Sequence, residues 1–500
     1  MASLGALARL MGAGWTLVRN DAFLPRELDG FYSPAVRALA NTLRVFASRR
    51  EGRPGERLAR SLQGLGPVAI KLGQFLSTRA DIFGRTFAED MGHLKDRLPP
   101  FPSAQAREAV AQELGRPVEV VFASFGEPVA AASLAQAHDA TLPDGRRVAV
   151  KVLRPGIERR VAADSAVLAL AARLMERWAT PLRRLEPVRF AATVIRATEL
   201  ELDLRLEAAG ADELAEVMAK DGYMAAPKVV WPGVGKRVLT MEWVQGLPLS
   251  DAAALDQPGL DRKILADNLT RAFLAQALDH GVFHADLHEG NLFVAAPAKL
   301  FAVDFGIIGR LGVPERRYLA EILWGFLNRD YSRVAQVHFD AGYVPGHHSV
   351  EAFAQALRAV GEPVFGRQAD AVAMSRVLTQ LFEITALYDM HLRPELVLLQ
   401  KTMVTVEGVA RRIDPAHDIW AAAEPVVRRW IARELSPATR IRRLAGDAEA
   451  AVRNLARLTE ARPPPVAVAI AEPARTGALL WFALGALAAG GAFLAGLLLR

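Results

Sequence analysis

Four polar side chains at fixed spacings could together bind and transfer a phosphoryl group. Asp286 and Asn291 lie five residues apart in a stretch that reads His-Ala-Asp-Leu-His-Glu-Gly-Asn, and Asp304 begins an Asp-Phe-Gly sequence after an apolar run. Lys151 lies between valines in a β-prone stretch. Phosphoryl transfer needs a cation on the phosphates, oxygen ligands for magnesium and a group that positions the acceptor. The four residues can fill these roles, so the sequence predicts a site for ATP and Mg²⁺.

Each of these motifs is weak evidence when taken alone, because a lysine in a buried strand usually extends its ammonium group to the surface. The order and spacing of the residues favour phosphoryl transfer, together with the strand context that Lys151 and Asp304 require. His284 and His288 have the i, i+4 spacing of a zinc pair on a helix. The following Glu-Gly-Asn favours a loop instead, so we interpret His284 as a structural hydrogen-bonding residue.

The surrounding elements are predicted to follow the order strand, strand, helix, strand and then a helical block. Residues 130–141, a Pro-Asp-Gly turn and residues 147–152 predict a β-hairpin. A helical period covers Arg196–Met218, and residues 238–244 predict a short buried strand. This order is typical of an α+β, two-lobed protein-kinase-like fold. The apolar stripe of the predicted helix comprises Leu200, Leu204 and Leu214.

Composition and periodicity divide the chain into six segments. They are an N-terminal amphipathic segment (1–33), a helical N-terminal extension with Lys71, Gly73 and Gln74 (34–115), a kinase-like N-lobe (116–246), a kinase-like C-lobe (247–435), a basic, proline-containing linker (436–474) and a transmembrane anchor (475–500). Arg9 and Arg19 interrupt the apolar start of the chain, which favours an amphipathic helix on a surface over a secretory signal.

The C-terminal segment is predicted to cross a membrane. The 24 residues from Thr476 to Leu499 carry no charge. At a rise of about 1.5 Å per residue they would span roughly 36 Å, which exceeds a hydrocarbon core of about 30 Å. A buried core helix is the alternative, but such helices rarely run this long without one charge. The arginine-rich approach to this segment predicts that the preceding domain lies on the cytoplasmic side of the membrane.

Charge and cysteine content exclude several classes of function. Lys and Arg number 61 against 55 Asp and Glu, a net charge of +6. This small excess argues against a dedicated nucleic-acid binder, and no nucleic-acid partner is expected. The chain contains no cysteine, which excludes disulfides, thiolate metal sites and thiol nucleophiles and agrees with a reducing compartment.

Three further stretches do not belong to ordinary protein kinases. Residues 65–81 contain Lys-Leu-Gly-Gln, residues 128–138 are rich in alanine where a kinase has glycines, and residues 201–207 read Glu-Leu-Asp-Leu-Arg-Leu-Glu. With the Asp286 loop, these motifs cover most of residues 30–410. They resemble the KxGQ segment, alanine-rich loop and ExD motif of the UbiB (ADCK, AarF) family of atypical kinases. The bacterial branch of that family acts in ubiquinone biosynthesis, and the resemblance implies a location at the bacterial inner membrane, with the catalytic domain on the cytoplasmic side.

The resemblance implies a catalytic role for each matching residue. Lys151 would pair with Glu207 and hold the α- and β-phosphates of ATP, and Asp286 would be the catalytic-loop aspartate. Asn291 and Asp304 would bind magnesium. The remaining nucleotide-binding positions implied by the resemblance are Ala130, Ala131, Ala132, Ser133, Met241, Glu242 and Val244.

The resemblance also implies a regulatory arrangement over the site. Lys71 and Gln74 would lie across the groove of a protein substrate, near Glu201 and Asp203. Alanine in place of glycine restricts the backbone of the nucleotide loop, which is expected to suppress ordinary kinase activity. No Ala-Pro-Glu closes a segment after Asp304, which disfavours a protein substrate independently.

These features favour a membrane-anchored atypical kinase or ATPase that supports ubiquinone (coenzyme Q) biosynthesis. Its expected partners are membrane lipid, prenylated quinone intermediates and soluble ubiquinone-biosynthesis enzymes. Two alternatives stay open: a protein or small-molecule kinase with another target, and a nucleotide-sensing pseudokinase scaffold. Gly210 departs from the family pattern, and a glycine inside a helix is expected to destabilise it by about 1 kcal/mol.

Overall fold

The structure, a computed structural model, describes most of the chain up to residue 434. The described residues are 4–22, 34–46, 52–77, 85–92, 94, 99–178, 183, 186–365, 384, 387–390 and 394–434. The chain divides into two compact units, Met1–Arg433 and Glu434–Arg500. The elements described below lie in the first unit, apart from the last residue of the final helix.

The N-terminal part of the chain is helical. Its helices are α1 (Leu4–Arg19), α2 (Pro34–Leu43), α3 (Pro54–Leu65), α4 (Pro67–Ser77) and α5 (Arg85–Gly92), with a 3-10 turn at Arg44–Phe46. Helices α3, α4 and α5 share an apolar core that includes Leu62, Met91 and Leu94. A Cβ on Gly73 of α4 would lie 2.2 Å from Leu94 Cδ1 and 2.9 Å from Met91 Cε. Any side chain at residue 73 would therefore push this core apart.

A four-stranded antiparallel sheet follows. Its strands, in spatial order, are β1 (Ser124–Ala131), β2 (Ala135–Thr141), β3 (Arg147–Leu153) and β4 (Val238–Glu242). Helices α6 (Ser103–Leu114) and α7 (Val118–Val121) pack on one face, where Val148, Val150 and Val152 of β3 are fully buried. The alternation of a strand places Lys151 on the other face. The predicted hairpin is confirmed for β2 and β3, but its start was wrong, because Ala130 and Ala131 belong to β1.

Among the residues that the structure describes, three α-helices separate β3 from β4, where the sequence predicted one. They are α8 (Ile157–Trp178), α9 (Pro187–Leu200) and α10 (Leu204–Asp221). The predicted helix Arg196–Met218 is therefore wrong across residues 201–203. Asp203 caps α10 by accepting a hydrogen bond from the Arg205 N–H at 3.2 Å, and aspartate is a favoured N-cap. Leu200, placed on the buried stripe, is 45% exposed, whereas Leu204 and Leu214 are buried.

The C-terminal part is mainly helical, with two small β-ladders. Its helices are α11 (Arg262–Ala275, continued by a π-turn Gln276–His280), α12 (Val313–Leu327), α13 (Tyr331–Asp340), α14 (Val350–Phe365), α15 (Pro394–Ile413) and α16 (Ile419–Glu434). Strands β5 (Leu247–Pro248), β7 (Leu292–Ala295) and β8 (Lys299–Ala302) form one ladder, and β6 (Val282–His284) and β9 (Ile308–Arg310) form the other. The two ladders fix both ends of residues 285–291 and 303–307.

An antiparallel sheet with helices followed by a helical region is a kinase-like arrangement of α+β type, as the sequence predicted. The boundaries of the six predicted segments stay predictions. No helix among the residues that the structure describes is both long and apolar enough to cross a membrane. The predicted linker (436–474) and transmembrane anchor (475–500) lie outside those residues.

Candidate nucleotide site

An ion pair joins the sheet to helix α10. Lys151 Nζ lies 2.7 Å from Glu207 Oε1 and 2.9 Å from Oε2. Lys151 is held at the centre of the sheet, where Ala137 of β2 and Leu239 of β4 flank it. Glu207 lies in the first turn of α10, so the Asp203 cap at the start of this helix also helps to orient the Glu207 side chain. The two residues that the sequence paired, Lys151 and Glu207, are thus in direct contact.

Asp304 reaches the same ammonium group from the C-terminal part. Its Oδ2 lies 3.5 Å from Lys151 Nζ, and its Oδ1 accepts the Gly306 N–H at 3.2 Å. The backbone of Asp304 has φ +64°, a left-handed conformation that few non-glycine residues adopt. Such conformations cost about 1–3 kcal/mol and cluster at functional sites. Here the conformation turns the carboxylate towards the lysine.

The charges of this cluster compensate for their burial. Burial alone would lower the pKa of Lys151, but the carboxylates of Asp304 and Glu207 outweigh it and raise that pKa above its usual value. Asp304, whose side chain is about half exposed, loses part of its hydration here, yet the nearby ammonium group of Lys151 and the Gly306 N–H hold its pKa below the usual range. One fixed cation beside an ionised carboxylate is the arrangement that a metal–phosphate complex requires.

The loop after β6 carries the remaining predicted catalytic residues. Asn291 Nδ2 donates to the Asp286 carbonyl at 3.1 Å, and the Asn291 carbonyl accepts the Val303 N–H at 2.8 Å. Asn291 is therefore bonded to the residue that precedes Asp304. Its amide oxygen and the Asp304 carboxylate are hard oxygen donors of the type that magnesium prefers, so these residues fit the ion that the sequence predicted.

His284 supports this loop from the core. It is fully buried, its Nδ1 accepts the Asp286 N–H at 3.1 Å, and burial lowers its pKa, so the imidazole is neutral and can accept. His288 is half exposed, with Nε2 3.6 Å from Asp286 Oδ2. Within the described residues, His284 and His288 belong to no group of three metal-ligating side chains. The structural interpretation of His284 therefore agrees with its contacts.

The alanine-rich turn joins β1 to β2, the strand that pairs with the one carrying Lys151. Ala130 and Ala131 end β1, and Ala132 and Ser133 form the turn, with the Ala132 N–H bonded to the Ala135 carbonyl at 2.8 Å. Arg154 Nε donates to the Ala132 carbonyl at 2.9 Å. The same guanidinium donates to the Pro99 carbonyl at 2.9 Å. This turn is thus fixed from outside, unlike a free glycine-rich loop.

The other predicted nucleotide contacts lie where β4 ends. Met241 is buried within β4, and Glu242 is its last residue. The Glu242 N–H donates to the Lys228 carbonyl at 2.9 Å. The predicted contact Val244 follows two residues later, on the segment that leads into β5. These three residues line the connection between the two parts of the fold.

An ion pair joins the described part of the N-terminal extension to the turn before α10. Lys71 of α4 pairs with Glu201, which lies in the turn between α9 and α10. Asp203 does not join this pair, because its carboxylate binds the Arg205 guanidinium at 2.6 and 2.8 Å while it caps α10. Gln74 lies one turn after Lys71 on the same helix. The structure thus brings Lys71 and Glu201 together and gives Asp203 a different partner.

The segment after Asp304 is short and packs against α10. Ile308 of β9 lies so close to Gly210 that a Cβ there would be 2.3 Å from Ile308 Cδ1. Arg310 pairs with Glu213 at 2.5 and 2.9 Å. Gly210 was expected only to weaken its helix, but its missing side chain is what admits Ile308. Helix α12 then begins at Val313, which confirms the short interval that the sequence predicted.

Comparison with known proteins places this site in a family. Residues 93–338 match the ABC1 atypical kinase-like domain, and residues 357–418 match the UbiB helical domain. The "Probable protein kinase UbiB" of Marinobacter nauticus is 39% identical over 446 residues, which cover 88% of this chain and 81% of the relative. The protein of the same description from Xanthomonas oryzae is 40% identical over 78% of this chain and 72% of the relative.

The chain belongs to the UbiB family of atypical kinases. Among solved structures, Rv3197 of Mycobacterium tuberculosis, determined in complex with erythromycin, is similar with a TM-score of 0.50 and 25% identity. The alignment covers 78% of this chain and 96% of that one. This agreement supports the kinase-like fold described above.

The UbiB helical domain also contacts the loop that carries Asp286. Thr402 of α15 is buried, and its hydroxyl proton is shared between the Leu398 carbonyl of its own helix at 2.8 Å and the Ala285 carbonyl at 3.1 Å. Arg412, at the end of the same helix, pairs with Glu289. Sequence reasoning missed Thr402, Arg412 and Arg154. Of the three, only Arg154 could have been noticed in the sequence, since it follows Lys151 by three residues and comes directly after the same strand.

Proposed function

We propose that this chain is a membrane-associated atypical kinase or ATPase that supports ubiquinone biosynthesis. ATP turnover would serve the extraction or presentation of prenylated quinone intermediates to soluble enzymes of the pathway. The observation that carries the proposal is the assembly of Lys151, Glu207 and Asp304 into one charged cluster beside Asn291. The proposal also rests on membership of the UbiB family.

Each residue of the cluster would have one task during phosphoryl transfer. Lys151, oriented by Glu207, would hold the α- and β-phosphates. Asn291 and Asp304 would hold magnesium, which neutralises charge that develops on the transferred group. Asp286 would orient the acceptor, because its backbone is fixed by His284 and Asn291 while its side chain remains partly accessible.

The contacts around the site favour a small or lipid-borne acceptor, or water, over a protein. Arg310 and Ile308 fasten the segment after Asp304 to α10, which leaves no long activation segment on which a peptide could dock. The ion pair between Lys71 and Glu201 holds α4 beside the start of α10. Both contacts support the expectation that ordinary protein-kinase activity is suppressed.

A surface of α1 supports membrane association. Leu7, Met11 and Trp15 recur every four residues on one helix face and are 45%, 64% and 53% exposed. Phe46 is also exposed, and its ring lies 6.3 Å from that of Trp15. An exposed apolar stripe that includes tryptophan suits the interface of a lipid bilayer. Together with the uncharged stretch at 476–499, it supports the proposed inner-membrane location with the catalytic domain on the cytoplasmic side.

ATP hydrolysis by the purified full-length protein tests the proposed activity. We expect slow release of phosphate that requires magnesium and increases with anionic lipid vesicles or phenolic quinone-head compounds. Asp304→Asn should abolish this turnover, whereas Asp256→Asn, at an exposed position outside the site, should retain it. Equal rates for wild type and Asp304→Asn would contradict the proposal. Transfer of labelled phosphate to a protein, dependent on Asp286, would favour the protein-kinase alternative that the relatives' description names.

Quinone profiling tests the pathway. A deletion strain complemented with wild type should make normal ubiquinone, and the same strain with Asp304→Asn should accumulate an intermediate. Normal quinone with both genes would defeat the pathway assignment while leaving the ATPase result intact. For the membrane surface, Met11→Glu should weaken vesicle binding, whereas Val120→Glu, at an equally exposed apolar position on α7, should not.

A further inference from the structure

A cluster of metal-ligating side chains lies outside the nucleotide site. His347 and His348 precede helix α14, and Asp389 lies in the described segment 387–390 before α15. His348 Nε2 is 3.4 Å from Asp389 Oδ2, and His347 Nε2 is 3.8 Å from the same oxygen. All three ligand atoms lie within 4.8 Å of one another. No residue of this cluster belongs to the nucleotide site.

We propose that His347, His348 and Asp389 bind one divalent transition-metal ion of the zinc type. Zinc–nitrogen and zinc–oxygen bonds are about 2.0–2.2 Å, so ligand atoms around a tetrahedral ion are about 3.3–3.5 Å apart. The His348–Asp389 separation of 3.4 Å already has this value, whereas His347 Nε2, at 3.8 Å from the same oxygen, must move closer for an ion to bind all three. Two imidazoles and one carboxylate favour zinc over magnesium or calcium, which prefer oxygen ligands.

Ring packing positions His348 and the segment that carries Asp389 in the absence of metal. The ring of Tyr388 lies 4.9 Å from that of Phe353 and 5.2 Å from that of His348. Phe353 is fully buried in the C-terminal core with Leu357 and Ile384. Ring contacts therefore join the two segments that carry the ligands. His347, whose side chain is 66% exposed, would supply the third ligand from the solvent side. A fourth position is left for water.

The bound ion would tie the two ends of a long stretch of chain together. His348 and Asp389 are 41 residues apart, and the stretch between them includes the start of the UbiB helical domain. A ligand that binds the folded state alone raises the free energy of unfolding by RT ln(1 + [L]/Kd). The ion would thus stabilise the C-terminal core, separately from nucleotide binding at Asp304.

Titration of the full-length, tag-free protein with Co²⁺ and Zn²⁺ tests the site. The protein is first treated with chelator, and excess Mg²⁺ is kept present to occupy the nucleotide site. We expect one equivalent of Co²⁺ to give a visible absorption band that Zn²⁺ displaces, and Zn²⁺ to raise Tm. Loss of an outer partner of a metal ligand typically weakens binding 10–100-fold. His347→Ala and Asp389→Asn remove ligands, so each should weaken binding about 100-fold or more.

A matched control comes from another histidine–aspartate contact. His280 Nε2 lies 3.0 Å from Asp221 Oδ1, and no third ligand joins that pair among the described residues. His280→Gln should leave Co²⁺ binding unchanged. His347 is largely exposed, so His347→Ala should fold normally, with an unchanged Tm in the absence of metal. Absence of Co²⁺ binding by wild type, or equal binding by wild type, His347→Ala and Asp389→Asn, would overturn the proposal and leave a hydrogen-bonded histidine–aspartate pair only.

Discussion

The two sides of the candidate nucleotide site are held by different forces. The sheet side consists of Lys151 and Glu207, an ion pair between residues 56 positions apart. The loop side consists of Asp286 and Asn291, held by hydrogen bonds among His284, the loop itself and the strand that leads to Asp304. On the sheet side, carboxylates hold the Lys151 ammonium group in place. On the loop side, hydrogen bonds between neutral groups fix the backbone conformation.

This difference follows from what each side must present to a nucleotide. A buried ammonium group is stable only beside compensating carboxylates, and removal of one partner of a buried pair typically costs 3–5 kcal/mol. A loop that orients an acceptor needs fixed geometry, which satisfied backbone hydrogen bonds supply. Substitutions on the sheet side should therefore change nucleotide binding and charge, whereas those on the loop side should change turnover.

The largest effect is expected on the sheet side. Lys151→Met removes the cation that would hold the phosphates and leaves Glu207 buried without its partner. We expect kcat/KM for ATP hydrolysis to fall by roughly 100- to 1000-fold, the range that loss of one stabilising group at a developing charge produces. Phosphate release measures this, with Lys220→Met on the exposed end of α10 as the control. A loss of less than about tenfold would show that Lys151 does not hold the phosphates.

A smaller effect, confined to turnover, is expected on the loop side. Thr402→Val keeps the shape of the side chain but removes the hydroxyl that donates to the Ala285 carbonyl. A displacement of about 1 Å at a reacting group can reduce the rate about 100-fold, and loss of one supporting bond should give part of this. We expect kcat to fall about tenfold with KM for ATP nearly unchanged.

The same helix offers a matched control for that substitution. The Thr405 hydroxyl donates to the Lys401 carbonyl within α15 at 3.0 Å and does not touch the loop. Thr405→Val should leave kcat within about twofold of wild type, since a local bond of this kind contributes about 1 kcal/mol or less to stability. If both valine variants lose the same activity, the effect comes from α15 as a whole and the loop-side argument is wrong.

The N-terminal extension should modulate the sheet side more weakly. Lys71→Met removes one positive charge beside the Glu201 carboxylate, and this carboxylate lies close enough to influence Lys151. The added negative field should weaken ATP binding by a few tenths to 1 kcal/mol. A change of this size in the binding free energy raises KM for ATP about two- to fivefold. The double variant with Glu201→Gln should restore KM. Lack of restoration would mean that Lys71 contacts the nucleotide or substrate itself.

The sequence anticipated which residues lie close together at the candidate site better than it anticipated the helices that hold them. Lys151, Asp286, Asn291 and Asp304 stand in motifs whose local spacing reflects their chemistry, so their proximity could be anticipated. The break at 201–203 could not, because the helical period continues through it. The break depends on the Asp203 cap and on a hydrogen bond from the Leu204 N–H to the Lys236 carbonyl at 2.8 Å.

Supporting residues escape prediction for a related reason. Arg154 and Thr402 donate to backbone carbonyls, and a carbonyl carries no residue identity that a pattern could reveal. Gly210 was judged by helix propensity alone, and its true constraint is the approach of Ile308, about a hundred residues later in the chain. Local propensity thus identified the strands and the loop, whereas long-range packing decided where the helices break.

The smallest expected effect tests whether compensation by carboxylates explains the charged state of the sheet side. His338 in α13 is buried even more deeply than Lys151, but among the described residues its side chain makes one hydrogen bond, from Nδ1–H to the Val334 carbonyl at 2.7 Å. With no carboxylate to oppose it, burial lowers the pKa of His338 to about 4. Between about pH 6.5 and pH 4, His338 is therefore protonated in the unfolded chain but neutral in the folded chain. As the pH falls through this window, the free energy of unfolding decreases by roughly 3 kcal/mol at most. Urea unfolding of wild type and His338→Gln between pH 7 and pH 4 measures it. The variant should lose less stability than wild type over this range, and identical pH dependence in the two proteins would show that His338 is compensated by a group other than its single carbonyl partner.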